Sequence, residues 1–377
     1  MELHQVLHMK GGDDSSSYAK NSVFQKTVAM KSRHILERNI KDLCKGINVK
    51  KLIDGKCWIR IAELGCGSGP NTLSTNQGII EIFDKELYPN NNLDNNFRVE
   101  VDEPALPSVE ILLNDLVNND FNLIFKSLPK LYEQLEKHER RRLPGTCFVT
   151  AVPGSFHGRL FPDNSIHFFH SCQSLHWLSQ VPAKLMTEDG LSLNKGNILI
   201  GETSPPAVHD AYLEQFKSDF TTFLRVRSIE LVSQGRMFFI LSSDTPGDVC
   251  YLNPTLNDMV KEGMIEEKAL DAFNLPMYKP TLEEMRWIIE EEGSFEVNRI
   301  ETIRWNKDDD IKNVDPSSLR ELHARSVRAA FGSLIGSHFG DGILDDLFCR
   351  FSKNISQCAE NFTWMHHSLA VSLVKKD

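Results

Sequence analysis

The run IAELGCGSGPNT, residues 61–72, constrains this chain more than any other stretch, because an apolar segment passes without a break into a cluster of glycines. Trp58, Ile59, Ile61 and Leu64 predict a short buried strand. Gly65, Gly67 and Gly69 then permit backbone conformations that a Cβ disfavours. Asn71 and Thr72 are suitable cap residues ahead of Ile79, Ile80, Ile82 and Phe83, so a helix is expected next. Strand, glycine turn and helix in that order make a nucleotide-type site. The dinucleotide pattern G-x-G-x-x-G begins at Gly65 but meets Pro70 where its last glycine belongs, and no Gly-Lys-Ser/Thr follows to build a triphosphate loop. A purely structural strand-to-helix turn is the competing reading.

The chain has 377 residues, 41% of them hydrophobic, enough for one large domain with an insertion or two modest ones. Its net charge of −10 argues against a phosphate-backbone ligand, and the basic run Lys137 to Arg142 is interleaved with Glu133, Glu136 and Glu139 as a solvated helix face. Eight cysteines are scattered with no C-x-x-C pair, which points to reduced thiols in a cytoplasmic protein. No signal peptide or membrane-spanning run is present, so neither nucleic acid nor membrane is expected as a partner.

Apolar spacing predicts one long helix from Lys20 to Lys45 and, beyond the glycine turn, a polar surface loop from Tyr88 to Ser108. Further strands are expected at 109–115, 147–152, 165–171, 197–202, 237–241 and 367–374. The stretches 253–272 and 315–355 read as helices that cap the sheet. The result is an α/β fold. The expected division is a cofactor-binding part at 1–207, sheet strands interleaved with a helical cap at 208–366, and a last strand at 367–377.

An acid-led E-x-G-x-G-x-G loop resembles the first motif of Rossmann-like methyltransferases. The likeness extends along the chain through VLHMKGG, SYAKNS, LGCGSGPNT, LNDL with NDFN after it, VPGSFHGRLFP, SLHWLSQVP, NKGNI, DAFNLP, EEEGSF and SHFG. In order and spacing these stretches resemble the plant SABATH methyltransferases over essentially the whole length. That resemblance implies a Rossmann-like sheet with an α-helical cap, S-adenosyl-L-methionine as cofactor, and a homodimer. The family methylates carboxylates of small plant acids or ring nitrogens of xanthine alkaloids.

Carried over position by position, the resemblance implies cofactor contacts at Tyr18, Ser22, Glu63, Cys66, Asn71, Asp115, Leu116, Ser155 and Phe156. Asp115 suits two ribose hydroxyls, because a carboxylate accepts paired bonds, although it could instead cap a helix. Phe156 can stack on the adenine or serve as core. Glu63 stands where the family commonly has Asp, and its extra methylene rearranges any hydrogen bond made there. A serine hydrolase built on Ser155 and His157 is set aside, because Gly154 directly precedes the serine and G-x-S-x-G is absent.

For the acceptor, the resemblance implies contacts from Tyr18, Gln25, Gln173, His176, Trp177, Asp248 and Phe331, with Gln25, His176 and Trp177 positioning it. Gln25 has a rival role, because Ser22-Val23-Phe24-Gln25 is spaced as a capping box. His176 could take a proton, shape the pocket or simply be core. Gln173 replaces a usual tyrosine, and the purine-binding tyrosines of coffee-type enzymes fall at Phe331 and His366, which weakens the xanthine reading. An ionised carboxylate needs no base, whereas a ring N–H must lose its proton. Carboxylate O-methylation is therefore the leading expectation and xanthine N-methylation the runner-up, with a non-catalytic small-molecule binder as the rival class. Asn194, Asp271, the Phe273 carbonyl and Asn274 match a family cation site for magnesium; ordinary loop hydrogen bonding is the alternative.

Overall fold

A computed structural model describes residues 7–12, 14–46, 58–87, 108–137, 147–243, 251–306, 316–357 and 365–377. Asp248 and nearly all of the 88–108 insertion lie outside these residues, as does most of the 137–142 basic run. Seven strands form one sheet: β1 Ile59–Leu64, β2 Val109–Asp115, β3 Cys147–Pro153, β4 Ile166–Cys172, β5 Leu231–Ser242, β6 Phe295–Asn306 and β7 Met365–Lys375. Their order is β3-β2-β1-β4-β5-β7-β6. The first five run parallel, and β7 enters antiparallel between β5 and β6. The chain moves outward from β1 to β3 and then returns to β4 on the other side of β1. Ligands of open α/β sheets bind at the carboxyl ends of strands where the order reverses in this way.

Alternation of side chains splits the sheet residues between two cores. Ile59, Ile61, Phe168 and Phe238 pack with Ile35, Ile40, Ile79 and Phe83 of the N-terminal helices, whereas Ala62, Leu64, Phe169 and Phe239 face Phe216, Phe220 and Phe223 of the helix Pro206–Glu230. A third core joins Leu252, Leu256 and Met259 to Phe331, Ile335 and Phe351 in the helical cap.

Several expected elements differ in detail. The helix expected from Lys20 to Lys45 is three helices, Tyr18–Asn21, Val23–Lys31 and Arg33–Gly46. At the second break the Ser32 hydroxyl bonds back to the carbonyls of Val28 and Ala29. The helix after the glycine turn starts at Pro70, so Asn71 and Thr72 lie inside its first turn rather than capping it. Residues 197–202 are not a strand. Ile198 and Leu199 are buried in the cap core, and the Ile198 backbone is satisfied by the Asn253 side chain at 2.9 Å and the Leu275 N–H at 2.7 Å. The 253–272 stretch divides into Leu252–Lys261 and Glu267–Asp271, and the 315–355 stretch into Pro316–Phe339 and Leu344–Gln357. Strand β6 is additional to the expected set. Cys44, Cys66, Cys172 and Cys349 are free thiols, and no described helix is long and apolar enough to cross a membrane.

Candidate active site

The glycine turn leaves β1 at the reversal point. Gly65 and Gly67 have φ of +70° and +61°. A Cβ on Gly65 would come within 2.2 Å of Ser174 Oγ, so the turn runs against the chain leaving β4. Asp115, at the end of the neighbouring β2, ties this turn down: its Oδ2 accepts the Gly67 N–H at 2.7 Å and its Oδ1 accepts the Leu116 N–H at 2.8 Å. The helix-cap role belongs to Asp120, whose Oδ1 accepts the Leu123 N–H at 3.1 Å. Each Asp115 oxygen keeps a lone pair for another donor. Burial pushes the Asp115 carboxyl up to about 6, against the pull of the two N–H groups.

Two cavities flank the turn, and Tyr18 and Gly65 line both. A cleft of 90 Å³ collects Asp115, Leu116, Ser155 and Phe156 together with Gln173 and Trp177. A cavity of 310 Å³ collects Gln25, Glu63, Cys66 and Asn71. Ser22 joins the second group through Asn71, whose Nδ2 donates to the Ser22 carbonyl at 3.0 Å and hydroxyl at 2.8 Å. The capping box expected at Ser22 is not formed, and the Gln25 Oε1 is buried without a hydrogen-bond partner. Gln25 and Trp177 line different cavities rather than one.

Trp177 packs its ring 5.4 Å from Phe331 and 5.9 Å from His176. His176 is buried; its Nδ1 accepts the Ser242 N–H at 3.4 Å, and desolvation with Lys279 nearby pulls it down to about 3. It is therefore neutral near pH 7 and a poor proton acceptor. Gln173 is held in the left-handed region at φ +58°, with its Nε2 donating to Ser368 Oγ at 3.0 Å and its Oε1 accepting from Ser242 Oγ at 2.8 Å. That strain and those bonds fix the amide at the cleft wall. His366 lies apart from Phe331 in sequence and environment, packed against Phe24 at 4.6 Å and Trp305 at 5.3 Å.

The cation-site residues converge as a hydrogen-bonded loop. Asn194 Nδ2 donates to Asn274 Oδ1 at 2.9 Å, Asn194 Oδ1 accepts from Ser204 Oγ at 2.6 Å, and Asp271 Oδ1 accepts the Gly196 N–H at 2.8 Å. Phe273 turns its ring toward His338 at 4.8 Å. Among the described residues no three His, Cys, Asp or Glu side chains converge as metal ligands. Both amide oxygens and one oxygen of Asp271 thus serve hydrogen bonds within the loop itself, the alternative role expected for these residues.

Two features escaped the sequence. His170 Nδ1 lies 2.6 Å from Glu63 Oε2, with both side chains almost fully buried in the larger cavity's wall. Beneath the cleft, Arg227 donates to the carbonyls of Gly158 at 2.6 Å and Phe156 at 3.4 Å, so a buried helix residue grips the loop that carries Ser155 and Phe156.

The profile of the family described as SAM dependent carboxyl methyltransferase matches residues 4–376. The chain belongs to this SABATH family. It is similar to a probable caffeine synthase of Coffea canephora, 44% identical over 394 residues that span 100% of this chain and 98% of the relative. A 3,7-dimethylxanthine N-methyltransferase of Coffea arabica is also 44% identical with the same coverage. Among solved structures, loganic acid methyltransferase with S-adenosylhomocysteine superposes with a TM-score of 0.81 at 32% identity, covering 98% of this chain and 99% of that one. As a SABATH member the protein is an S-adenosylmethionine-dependent methyltransferase. Its site fits that cofactor: Gly65 and Gly67 present bare backbone at the turn, and a strand-end carboxylate faces the cleft beside the Phe156 ring.

Proposed function

We propose that this SABATH enzyme methylates the carboxylate of a small plant acid, giving a methyl ester. The observation that carries this reading is the state of His176. Its Nδ1 is occupied by the Ser242 N–H, and burial disfavours the imidazolium it would become on taking a proton, so the imidazole beside Trp177 is a weak base for an N–H acceptor. An acid that arrives ionised needs none. The bound cofactor supplies an electrophilic methyl on a sulfonium, and direct in-line attack requires mainly alignment and desolvation.

The residues divide that work. Asp115 holds the turn through Gly67 and keeps lone pairs for ribose hydroxyls, with Leu116, Ser155 and Phe156 around the adenosyl end. Tyr18, Ser22, Glu63, Cys66 and Asn71 form the opposite flank and receive the amino-acid end. Trp177, Phe331 and Gln173 wall the acceptor, and Gln25 presents its amide from the second cavity.

A second reading, N-methylation of a xanthine, is favoured by the names of the coffee relatives, which run against the carboxylate reading. One assay separates them. Purified protein is incubated with labelled S-adenosylmethionine and, singly, with salicylate, benzoate, jasmonate, iridoid and alkaloid acids, xanthosine and methylxanthines. Label released by mild base from an acid is the expected result, and base-stable label on a xanthine alone establishes the second reading instead.

A further inference from the structure

We propose that His170 is a positioning residue for the cofactor: it holds the Glu63 carboxylate in place to receive the cofactor's ammonium group. This rests on the reading above that Glu63 faces the amino-acid end. The two residues come from the inner strands at the reversal point, where parallel register sets Glu63 directly opposite His170. Their side chains emerge on the same face of the sheet, and the His170 Nδ1–H donates to Glu63 Oε2 at 2.6 Å. Glu63 is 3% exposed and His170 1%, so neighbouring protein groups rather than bulk solvent set the orientation of the carboxylate in the cavity wall.

Isolated, a buried carboxylate is costly, and a hydrogen-bonded neighbour offsets that cost while fixing which oxygen points where. Glutamate needs such a neighbour more than aspartate does, because its extra rotatable bond adds a degree of freedom that binding must otherwise freeze. The imidazole consumes one oxygen and leaves the carboxylate's remaining lone pairs in the wall that Tyr18 and Asn71 share. An anion so placed, beside the glycine turn, selects a positively charged amino group.

The test compares two ligands that share the same adenosine, S-adenosylhomocysteine, which carries the amino acid, and 5′-methylthioadenosine, which lacks it. Calorimetry on His170→Phe should show S-adenosylhomocysteine weakened about tenfold and 5′-methylthioadenosine changed less than about twofold. His170→Asn, which keeps a donor near the Nδ1 position, should restore most of the loss. Equal weakening of both ligands would show a disturbed turn rather than a positioned carboxylate and would overturn the inference, as would unchanged binding of both. Glu63→Gln separates the two layers of the argument. If it leaves S-adenosylhomocysteine affinity intact, the placement of Glu63 at the cofactor fails. If it weakens that affinity while His170→Phe does not, only the role of His170 fails. In the double variant the two losses should be less than additive, since both act through one carboxylate.

Discussion

Arg227 and Glu230 form a fully buried ion pair, Nε to Oε2 at 2.8 Å, and both reach the same loop. Arg227 holds its carbonyls at Phe156 and Gly158, while Glu230 Oε1 accepts the N–H groups of Leu160 at 2.7 Å and Phe161 at 3.0 Å. One helix turn thus clamps donors and acceptors of the loop carrying Ser155 and Phe156. Glu230→Gln leaves the guanidinium buried without its counter-charge, and a loss of about 3–5 kcal/mol in unfolding free energy is expected in denaturant titration. Arg227→Met with Glu230→Leu removes both charges and should recover part of that stability, the Leu160 and Phe161 N–H groups having lost their acceptor. It should nevertheless bind S-adenosylhomocysteine more weakly than the native chain, because the loop carbonyls lose their anchor. Native affinity in a stable double variant would show that the clamp serves folding alone.

Asp115 gives a pH dependence with a definite sign. Its carboxyl is raised to about 6 by burial, so in the free protein it is protonated below that value and ionised above it. Folding disfavours the charged form, so the contribution of this group to stability is greatest below its unfolded value near 4 and is lost as pH rises through 6. Binding has the opposite slope, because ribose hydroxyls donate to the anion. S-adenosylhomocysteine affinity should therefore rise from pH 5 to pH 7 with a midpoint near 6, measured by calorimetry in buffers of matched ionic strength. Asp115→Asn should flatten that slope and bind more weakly by about 1.5–3 kcal/mol at pH 7, the worth of a hydrogen bond to a charged group.

Gly65 and Gly190 have similar positive φ values, +70° and +75°, but different surroundings. A Cβ at Gly65 meets Ser174 Oγ at 2.2 Å, whereas one at Gly190 meets nothing within 4 Å. Gly190→Ala should cost only the backbone strain, about 1–2 kcal/mol, with cofactor affinity unchanged. Gly65→Ala should cost more in thermal unfolding and lose cofactor binding, since the turn must shift to clear Ser174. Equal effects of the two substitutions would sink the close-approach argument.

What the sequence conveyed and what it hid follow from range. The β1 strand, its glycine turn and the strand ending at Asp115 were legible because alternation and glycine spacing are local signals. Residues 197–202 look like a strand by the same apolar signal, yet Ile198 and Leu199 are buried by the cap, with Asn253 supplying a hydrogen bond that a ladder would otherwise give. Strand β6 places Glu296, Arg299, Glu301 and Arg304 among its apolar residues, which masks its pairing with β7. The Glu63–His170 contact joins positions 107 residues apart through strand register alone. Local spacing misled at Ser22 and Gln25, where a neighbour far along the chain, Asn71, occupies the serine that the capping box required.

That last difference yields a prediction about Gln25 that separates stability from catalysis. If the side chain served the helix end, Gln25→Ala would lower stability by about 1 kcal/mol, the usual worth of a cap. In the structure its Oε1 is buried without a partner and the serine is satisfied by Asn71, so removing the amide breaks no internal hydrogen bond. Thermal unfolding of Gln25→Ala should therefore match the native protein within about 0.5 kcal/mol. Its kcat/KM for the acid acceptor should fall about tenfold to a hundredfold, because an oxygen of the acceptor loses its hydrogen-bond partner in a site from which water is excluded. S-adenosylhomocysteine affinity should change little, which keeps the effect on the acceptor side. Trp177→Phe should show the same split between activity and cofactor affinity. His176→Ala should be mild for a carboxylate, and a collapse of activity in that variant would mean that the imidazole takes a proton and that the acceptor is an N–H.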